Sequence, residues 1–481
     1  MKNRFLTLLM IALSAGCGRI VPSSQLEELP EIYPDYREVT IPANIAPLNF
    51  SLTGEEPCRL DVRTDAGEWR IKGDNGLFRF PRKAWKEMTA AERIQFTVMI
   101  CRDGEWMSFK PFFIYVAPET IDSRLSYRLI PPGYQGWKDM GLYQRNLETF
   151  DEKPILENRL TDGNCLNCHS YCNRSPEKML FHSREVHGGT LVIQNGKTEK
   201  LNTKTDSTIS PLVYPYWHPS GKYVAFSVNS TLQSFFNHNP NRIEVFDKAS
   251  DVVVYDVASR KVSWSPLTKS PEKFETFPAF SPDGKWLYFC SAEAVENMPA
   301  DYDKVKYALV RVAFNPEDGS FGDRVETVFD APAMNKSVSF PRISPDGRWL
   351  AFTLHGYGNF SIWHKDADIW MLDLRSGEAR NAEVLNSNEV ESYHCWSGNG
   401  RWLVFSSRRD DGLFTRPYIA YVDSNGTARK PFMLPQKNPK EHYHKLMFAY
   451  NIPELMTEEV KVSPHTLASV LRNSPGTDVR F

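Results

Sequence analysis

Hydrophobic and polar residues alternate in four similar segments of the chain, at residues 216–226, 279–289, 342–352 and 395–405. Each segment begins with aromatic or apolar positions, passes through a tight turn such as Pro282-Asp283-Gly284, and continues as an alternating strand. Proline presets the backbone φ angle of such a turn, and glycine supplies its left-handed position. The turn glycines recur 63, 63 and 53 residues apart, at Gly221, Gly284, Gly347 and Gly400. A period of this length with several short strands per unit predicts a β-propeller.

Further strands complete these repeat units. Residues 251–257, 368–374 and 416–423 are apolar runs with an aspartate and are expected to be third strands, and residues 261–264 a short fourth strand. Residues 179–202, with an Asn195-Gly196 hairpin turn, predict an earlier blade. Five blades are therefore readable. Because a propeller must close, we expect residues 126–155 and 443–452 to complete a sixth blade.

The Ser-Pro-Asp-Gly-Lys turn and the apolar third strand with its aspartate resemble the repeat of TolB-type β-propellers. The resemblance covers about residues 176 to 440. It implies a fold and no particular activity, because propellers host many functions.

The first third of the chain has a different pattern. Short alternating strands are expected at residues 48–52, 59–63, 68–72, 95–101 and 107–115, with a helical patch at 82–93. This spacing predicts an immunoglobulin-like β-sandwich over residues 38–118. The predicted fold class is thus all-β. Its predicted segments are a signal peptide (1–16), a linker (17–37), the sandwich (38–118), a connecting segment (119–175), the propeller (176–455) and a tail (456–481).

The N-terminus has the features of an export signal. Lys2 and Arg4 precede an apolar run, residues 5–13, that is too short to span a bilayer. Small residues then lead to Cys17, which resembles the lipobox of bacterial lipoproteins. That resemblance implies cleavage before Cys17, lipidation of its thiol, a membrane anchor and an outer-membrane location that faces the periplasm. The alternative is an ordinary signal peptide with an incidental cysteine.

Residues 164–169 carry the most specific chemical signal. Cys165, Cys168 and His169 form a C-x-x-C-H motif, the pattern that attaches one covalent haem c through two thiols and one proximal histidine. The candidate distal iron ligands are His187, His182 and Met179, and an open distal position is the alternative. Without haem, Cys172 could join the motif in a zinc site, or two of the cysteines could form a disulfide.

The remaining cysteines are less informative. Cys58 and Cys101 lie in the predicted sandwich and could form a disulfide in an oxidising compartment, or could be two buried free thiols. No role is predicted for Cys172, Cys290 or Cys395.

Composition excludes several functions. The 481 residues have 57 basic and 59 acidic side chains, a net charge of −2, so nucleic acid is not an expected partner. The common hydrolase and nucleotide-binding motifs are absent from the sequence.

Two further polar groups follow propeller strands. Residues 408–411, an Arg-Arg-Asp-Asp run, are predicted to form a structural ion-pair loop. His355, Tyr357, His364 and Asp366 are candidates for the propeller mouth. His394 and His218 are expected to make hydrogen bonds between blades.

The whole chain resembles TolB-like or cytochrome-like lipoproteins of Bacteroidetes-type bacteria, through residues 31–36, the C-x-x-C-H site, 361–365 and 406–412. The resemblance implies a lipid anchor, a β-domain, a single haem site and a propeller. Three hypotheses follow. The first is an anchored monohaem c-type cytochrome that transfers electrons to, or docks, an unidentified protein partner in the cell envelope. The second is a non-enzymatic scaffold that binds protein or glycan, with a structural zinc or disulfide cluster. The third is a haem enzyme with an open distal site.

Overall fold

The structure, a computed structural model, describes residues 20–54, 56–132 and 139–481. Strands account for 47% and helices for 9% of it, so the chain is mostly β, as predicted. The predicted signal peptide and Cys17 lie outside the described residues. Among the described helices, none is long and apolar enough to cross a membrane.

Residues 24–117 form two sheets and one helix. In chain order the elements are β1 (Ser24–Gln25), β2 (Ile32–Tyr33), β3 (Val39–Pro42), β4 (Phe50–Leu52), β5 (Cys58–Arg63), β6 (Glu68–Lys72), β7 (Leu77–Phe78), α1 (Arg82–Met88), β8 (Arg93–Arg102), β9 (Glu105–Ser108) and β10 (Phe112–Ala117). Strands β1, β3, β5, β6, β8, β9 and β10 form a seven-stranded sheet, and β2, β4 and β7 form a three-stranded sheet. Phe50 of the smaller sheet packs on Phe96 and Phe112 of the larger one, with ring centroids 6.3 and 6.0 Å away. The two sheets therefore share one aromatic core.

The possible Cys58–Cys101 disulfide is not formed, and both cysteines are free thiols. In the pairing of β5 with β8, Cys58 lies opposite Ile100 rather than Cys101. Adjacent residues of a strand point to opposite faces, so the two thiols face away from each other.

The rest of the chain forms six successive groups of strands. The first group contains β11 (Arg124–Ile130), β12 (Gly141–Asn146) and β13 (Glu152–Glu157). The second contains β14 (Leu166–Cys172), β15 (Ser175–Ser183), β16 (Gly189–Gln194) and β17 (Lys197–Asn202). The third contains β18 (Val213–Trp217), β19 (Tyr223–Phe235), β20 (Ile243–Asp256) and β21 (Lys261–Ser263). The fourth contains β22 (Lys273–Phe280), β23 (Trp286–Glu293), β24 (Ala308–Phe314) and β25 (Phe321–Phe329).

The last two groups have the same order. The fifth contains β26 (Ser337–Ile343), β27 (Trp349–His355), β28 (Asp368–Asp373) and β29 (Ala379–Asn381), and the sixth contains β30 (Glu391–Trp396), β31 (Trp402–Ser407), β32 (Arg416–Tyr421) and β33 (Phe432–Met433). After them come α2 (Pro439–Lys445), β34 (Ala449–Met456), α3 (Pro464–Asn473) and β35 (Thr477–Asp478). Short 3-10 helices lie at Asn158–Thr161, Tyr302–Lys304, Pro332–Met334, Ser361–Trp363 and Glu383–Leu385.

Strand β34 joins the two ends of this region. It pairs antiparallel with β11, and so completes a four-stranded sheet with β12 and β13. The two flanking segments expected to form a further blade therefore do form one sheet. The predicted connecting segment, residues 119–175, is wrong as a separate unit, because β11 to β14 are strands of two such sheets. The predicted tail is also structured, since β35 pairs parallel with β17.

The third and fourth groups are joined into one eight-stranded sheet, because β20 pairs with β22 at Ser250 and Phe274. Six strands, β14, β18, β22, β26, β30 and β34, contact one another in that order, and β34 also contacts β14. We call these six the first strands. The repeated turn has the predicted chemistry. Ser281 Oγ donates to Asp283 Oδ1 at 2.6 Å and accepts from the Trp286 backbone N–H at 3.0 Å, and Gly284 has a φ of +72°. The same network closes the β26–β27 hairpin at Ser344 and the β30–β31 hairpin at Ser397.

The N-terminal sheets are fixed to the sheet of β30–β33. The Tyr33 hydroxyl donates to Asp410 Oδ2 at 2.9 Å, and the Trp402 indole donates to the Glu119 carbonyl at 3.2 Å. The charged run at residues 408–411 is thus structural, as expected. Arg409 pairs with the fully buried Glu391 at 3.0 Å.

Candidate functional site

The six first strands share a backbone irregularity. In each of them the register with the second strand, or for β34 with β11, slips beside a residue with a positive φ. These φ angles lie between 48° and 53°, a region that side-chain-bearing residues rarely adopt. The six residues are Cys168, Tyr214, Phe277, Phe340, Tyr393 and Ile452. All six line one small cavity, so the bulges turn their side chains toward a common axis.

The residue after each bulge distinguishes two of the strands. It is proline in four of them, at Pro215, Pro278, Pro341 and Pro453, and histidine in the other two, at His169 and His394. The C-x-x-C-H motif therefore coincides with the repeat. Cys168 occupies the bulge position of β14, and His169 occupies the position that is usually proline.

Three cavities follow one another along these strands. On β14, Asn167 lines the upper cavity, Cys168 and His169 line the axial cavity, and Ser170 and Tyr171 line the lower cavity. Their volumes are about 750, 30 and 270 Å³ respectively. Residues that line two cavities at once separate them. Tyr214, Tyr393 and Ile452 lie between the upper and axial cavities, and Arg342 and Glu454 lie between the axial and lower cavities.

Two buried imidazoles border the axial cavity. His169 and His394 are each 3% exposed, and backbone groups bond to both rings, from Ile452 to His169 and from Ala351 and Phe340 to His394. Burial lowers the pKa of each to about 3, with a smaller contribution from Arg128 for His169 and from Arg342 for His394. Burial also raises the pKa of Glu454 to about 8. At neutral pH both imidazoles are therefore neutral, and most of the Glu454 carboxyl is protonated.

Haem attachment does not fit this geometry. A porphyrin needs a pocket of roughly 300 Å³ or more. The cavity that His169 and Cys168 face has a volume of only about 30 Å³. Its walls include bulge residues of the other strands, such as Phe277 and Phe340, so a porphyrin would have to displace the axis. Attachment through Cys165 and Cys168 remains a sequence prediction that the surroundings of His169 do not support.

None of the three predicted distal ligands lies beside His169. Met179 is fully buried in an apolar core. His187 bonds through Nε2 to Asp162 Oδ2 at 2.8 Å. His182 faces the upper cavity, where Nδ1 bonds to Thr190 Oγ1 at 3.1 Å and Nε2 is unpaired. His169 and His394 both border the axial cavity.

The alternative to haem, a zinc cluster of Cys165, Cys168, Cys172 and His169, is not assembled, because no group of three or more side chains that could hold a metal ion occurs among residues 20–54, 56–132 and 139–481. The Cys172 thiol lies at the far end of β14, 3.8 Å from the His218 carbonyl. Both histidines expected to connect blades do so, His218 through Nε2 and the Gly284 carbonyl at 3.0 Å. His394 does so through backbone groups of Ala351 and Phe340.

The histidines expected at the propeller mouth are buried elsewhere. His364 Nε2 lies 2.6 Å from Glu244 Oε1, and both side chains are inaccessible to solvent. The Tyr357 hydroxyl donates to the same carboxylate at 2.9 Å, and His355 packs against His364 with ring centroids 5.0 Å apart. Asp366 pairs with Lys336 at the surface, at 2.9 Å. This group anchors the long β19–β20 hairpin and does not line any of the three cavities.

The upper cavity is the only one of the three that could admit a small molecule. Its charged lining consists of three cations and two carboxylates, from Arg128, Arg184, Lys204, Glu185 and Asp478. Arg184, Lys204, Glu185 and Asp478 are exposed at the rim, whereas Arg128 is only 9% exposed. The deepest charge in this cavity is therefore positive.

Arg128 lacks a balancing charge. Its Nη1 donates to Asn167 Oδ1, its Nε has no hydrogen bond, and it pairs with no carboxylate in the described part of the chain. The phenol of Tyr393 lies near it, and burial raises the pKa of that phenol to about 12. Tyr214 lines the same floor, and burial raises its pKa as well. Both phenols thus keep their protons, and that of Tyr393 can donate a hydrogen bond beside the guanidinium.

Sequence reasoning identified His182 but missed Arg128, Arg342 and Glu454. A signal for the last two was present, because an alignment of the six first strands places Arg342 and Glu454 two residues after their bulges. No sequence motif marks Arg128. It lies on β11, where apolar and polar residues alternate as they do in many other strands, so the sequence pattern does not single it out.

No protein-family model matches the sequence, and no curated protein is similar to it. Solved structures that the chain resembles are proteins of the β-propeller type. An oligogalacturonate lyase in complex with manganese is 13% identical, with a TM-score of 0.37, over 65% of this chain and 74% of that one. The tricorn protease is 11% identical, with a TM-score of 0.35, over 82% and 43%. Porphyromonas gingivalis dipeptidyl peptidase 4 is 10% identical, with a TM-score of 0.28, over 84% and 61%. At these values the similarities assign no activity.

Proposed function

We propose that the protein is a non-enzymatic binding protein, a closed six-bladed β-propeller whose upper cavity holds a small anionic ligand. The contacts of the six first strands around one axis support closure. The two N-terminal sheets would be an immunoglobulin-like docking module. Its attachment to the β30–β33 sheet through Tyr33 and Asp410 keeps it at the outside of the propeller, away from the upper cavity.

The observation that carries the proposal is the unpaired Arg128 guanidinium at the floor of the cavity. A buried cation without a carboxylate is costly, and unpaired buried polar groups are rare in folded proteins. An anion is the group that offsets this cost, because it accepts charge-assisted hydrogen bonds from the guanidinium. The phenol of Tyr393 adds a donor in the same place.

The walls indicate what the anion is attached to. Asn229, whose Oδ1 has no hydrogen bond in the described residues, and Thr231 line the cavity with amide and hydroxyl groups, and Phe360 presents an aromatic ring. Amides and hydroxyls can bond to the hydroxyls of a ligand, and an aromatic ring can pack against its apolar face. A carboxylated sugar combines these features. It is also consistent with the second hypothesis from the sequence, a scaffold that binds protein or glycan.

The envelope location remains part of the proposal. It rests on the predicted export signal and on lipidation at Cys17, and the membrane anchor and a periplasm-facing position follow from them. Electron transfer receives less support, since His169 faces the axial cavity and His182 the upper one. Tyr214, Tyr393 and Ile452 separate these two cavities, so an iron bound by both histidines would have to displace them.

Isothermal titration calorimetry with D-glucuronate, D-glucose and inorganic phosphate tests the proposal. We expect glucuronate and phosphate to bind and glucose to bind far more weakly. Loss of a charge-assisted hydrogen bond costs about 1.5–3 kcal/mol, so Arg128→Met should weaken glucuronate binding about 10- to 150-fold. Arg324→Met, at a surface arginine that is 78% exposed, is the control and should leave affinity unchanged. Binding that Arg128→Met leaves intact would refute the assigned site.

A further inference from the structure

Asn229, on β19, is one of the residues that line the upper cavity. Its Nδ2 group donates to Asp247 Oδ1 and to Asp247 Oδ2, at 3.0 Å each, and lies 3.4 Å from Thr276 Oγ1. Neither Asp247 nor Thr276 lines the cavity, so the amide nitrogen points away from it. The carbonyl oxygen Oδ1 is therefore the amide atom that remains for the cavity side.

The carboxylate of Asp247 fixes this orientation of the amide. An ionised carboxylate only accepts hydrogen bonds, so the NH₂ group of Asn229, and not its oxygen, must face it. Burial raises the pKa of Asp247 to about 6, so the carboxylate is mostly ionised at neutral pH. Asp247 also accepts from the Tyr307 hydroxyl and from Asn359 Nδ2, so it keeps its place when one donor is lost. Asn229 Oδ1 is consequently a fixed acceptor.

This acceptor has no hydrogen bond within the described residues. Asn229 is only 8% exposed, and buried carbonyl oxygens are normally paired. His182 of the same cavity is in a similar state, because it is 2% exposed, its Nδ1 bonds to Thr190 Oγ1, and its Nε2 has no partner in that part of the chain. The buried wall of the cavity thus has two polar side chains, besides Arg128, that a ligand could satisfy.

The chemistry of these two side chains restricts the ligand. Asn229 Oδ1 needs a donor, so an apolar group would leave it unpaired and a second carboxylate would repel it. A hydroxyl both donates and accepts, so it fits Asn229 Oδ1 and also fits either tautomer of His182. An ammonium group has no acceptor, and it would add a second cation to a cavity whose deepest charge is already positive. A hydroxyl group is therefore the best match.

We propose that Asn229 makes the upper cavity selective for hydroxylated acids, because its Oδ1 accepts a hydrogen bond from a ligand hydroxyl while Arg128 binds the anionic group. Asp247 is a positioning residue, since it acts on the ligand only through the orientation of Asn229. The inference rests on the proposed anion site and deepens it. It adds that an acid of the same shape without hydroxyl groups is discriminated against.

A double-mutant cycle between the protein and the ligand tests this role. Isothermal titration calorimetry would compare D-glucuronate with cyclohexanecarboxylate, a six-membered ring acid without hydroxyl groups, on the wild type and on Asn229→Leu. Loss of one partner of a buried hydrogen bond lowers affinity about 5- to 150-fold. The preference for glucuronate over cyclohexanecarboxylate should fall by about this factor in Asn229→Leu, because only glucuronate loses a contact.

Asn359→Leu is the matched control. Asn359 also donates to Asp247 through its Nδ2 and is 6% exposed, but it does not line the upper cavity. Its loss removes the same kind of contact from the carboxylate, while Asn229 keeps both of its hydrogen bonds to Asp247. The preference for glucuronate should equal that of the wild type. A fall as large as that of Asn229→Leu would show an indirect effect and overturn the proposal.

The experiment separates failure of this inference from failure of the anion site. If neither acid binds, or if Arg128→Met leaves cyclohexanecarboxylate binding unchanged, the anion site is wrong and this inference falls with it. If Arg128→Met weakens both acids but Asn229→Leu leaves the preference unchanged, the anion site stands and the role of Asn229 is refuted. Should Asn229→Leu not fold, a crystal structure of the wild type with glucuronate decides. A sugar hydroxyl within hydrogen-bond distance of Oδ1 supports the proposal, and bound glucuronate without that contact overturns it.

Discussion

Replacing Arg128 with methionine should make the protein more stable while it weakens glucuronate binding about 10- to 150-fold. Arg128 is 9% exposed and has one hydrogen bond, to Asn167. Loss of that bond costs about 1 kcal/mol. Asn167 keeps a partner, because its Oδ1 also accepts from the Cys168 backbone N–H at 2.8 Å. Methionine therefore leaves no new unpaired group behind.

The gain comes from removing an unpaired charge. The Nε of Arg128 has no hydrogen bond, and a buried donor in that state costs about 1–3 kcal/mol, with more for a charged group. Methionine fills most of the same volume and adapts its shape to the cavity wall. The net expectation is a stabilisation of about 1 kcal/mol. Functional residues often carry such a cost.

Arg145→Met is the matched control for this experiment. Arg145 is 1% exposed, but it donates to Gln436 Oε1 at 2.9 Å and to the Pro435 carbonyl. Its loss leaves two buried acceptors without their donor, so this variant should be less stable than the wild type. The assay is thermal unfolding followed by circular dichroism, without ligand and then with saturating glucuronate. Glucuronate should raise the Tm of the wild type and of Arg145→Met, which keeps the upper cavity, and should raise that of Arg128→Met much less.

One result would refute the reasoning. If Arg128→Met destabilises the protein as much as Arg145→Met does, then Arg128 holds the fold together. Its unpaired state would then be no evidence for a ligand. A wild-type Tm that glucuronate does not change would remove the remaining support for the upper cavity.

Three further substitutions probe other parts of the account. Burial raises the pKa of Glu454 to about 8, so the folded state holds a proton that the unfolded state loses near its usual pKa of about 4.5. Stability should therefore fall as pH rises from about 4.5 to 8. Glu454→Gln should flatten that part of a Tm–pH profile, and an unchanged slope would contradict the assignment. Arg409→Leu leaves Glu391 buried without its cation and should cost about 3 kcal/mol in urea unfolding, whereas a cost below about 1 kcal/mol would show that the pair is dispensable. Tyr33→Phe removes the donor to Asp410, so it should lower the free energy of unfolding by about 1 kcal/mol and increase protease cleavage near residue 38. Neither effect should appear if the N-terminal sheets are held by apolar packing alone.

The repeat architecture was predictable because its signals are local. A Pro-Asp-Gly turn and an alternating strand are set by a few neighbouring residues, and Ser281, Asp283 and Gly284 make the contacts that the turn chemistry implies. The sheet that joins residues 124–157 to β34 followed from the requirement for closure. The strands predicted in residues 48–115 also lie near their predicted positions, except that residues 107–115 divide into β9 and β10 before Phe112.

The site was not predictable in the same way. The C-x-x-C-H match is a local pattern, but the role of His169 depends on a bulge that aligns it with proline in other strands, and this alignment is visible only once the six strands are superimposed. Arg128 gained its significance from the absence of a nearby carboxylate, which is a property of three-dimensional packing. The separation of Cys58 from Cys101 likewise depends on strand register and not on spacing.

Covalent haem is the measurement that tests the account most directly. The chain would be expressed in a host with c-type haem maturation, separated on a denaturing gel and stained for haem peroxidase activity, beside a known cytochrome from the same host and a Cys165→Ala/Cys168→Ala variant. The account predicts an unstained band, because Cys168 and His169 face an axial cavity of about 30 Å³. A stained band that disappears in the double variant would contradict the account and establish the protein as a c-type cytochrome.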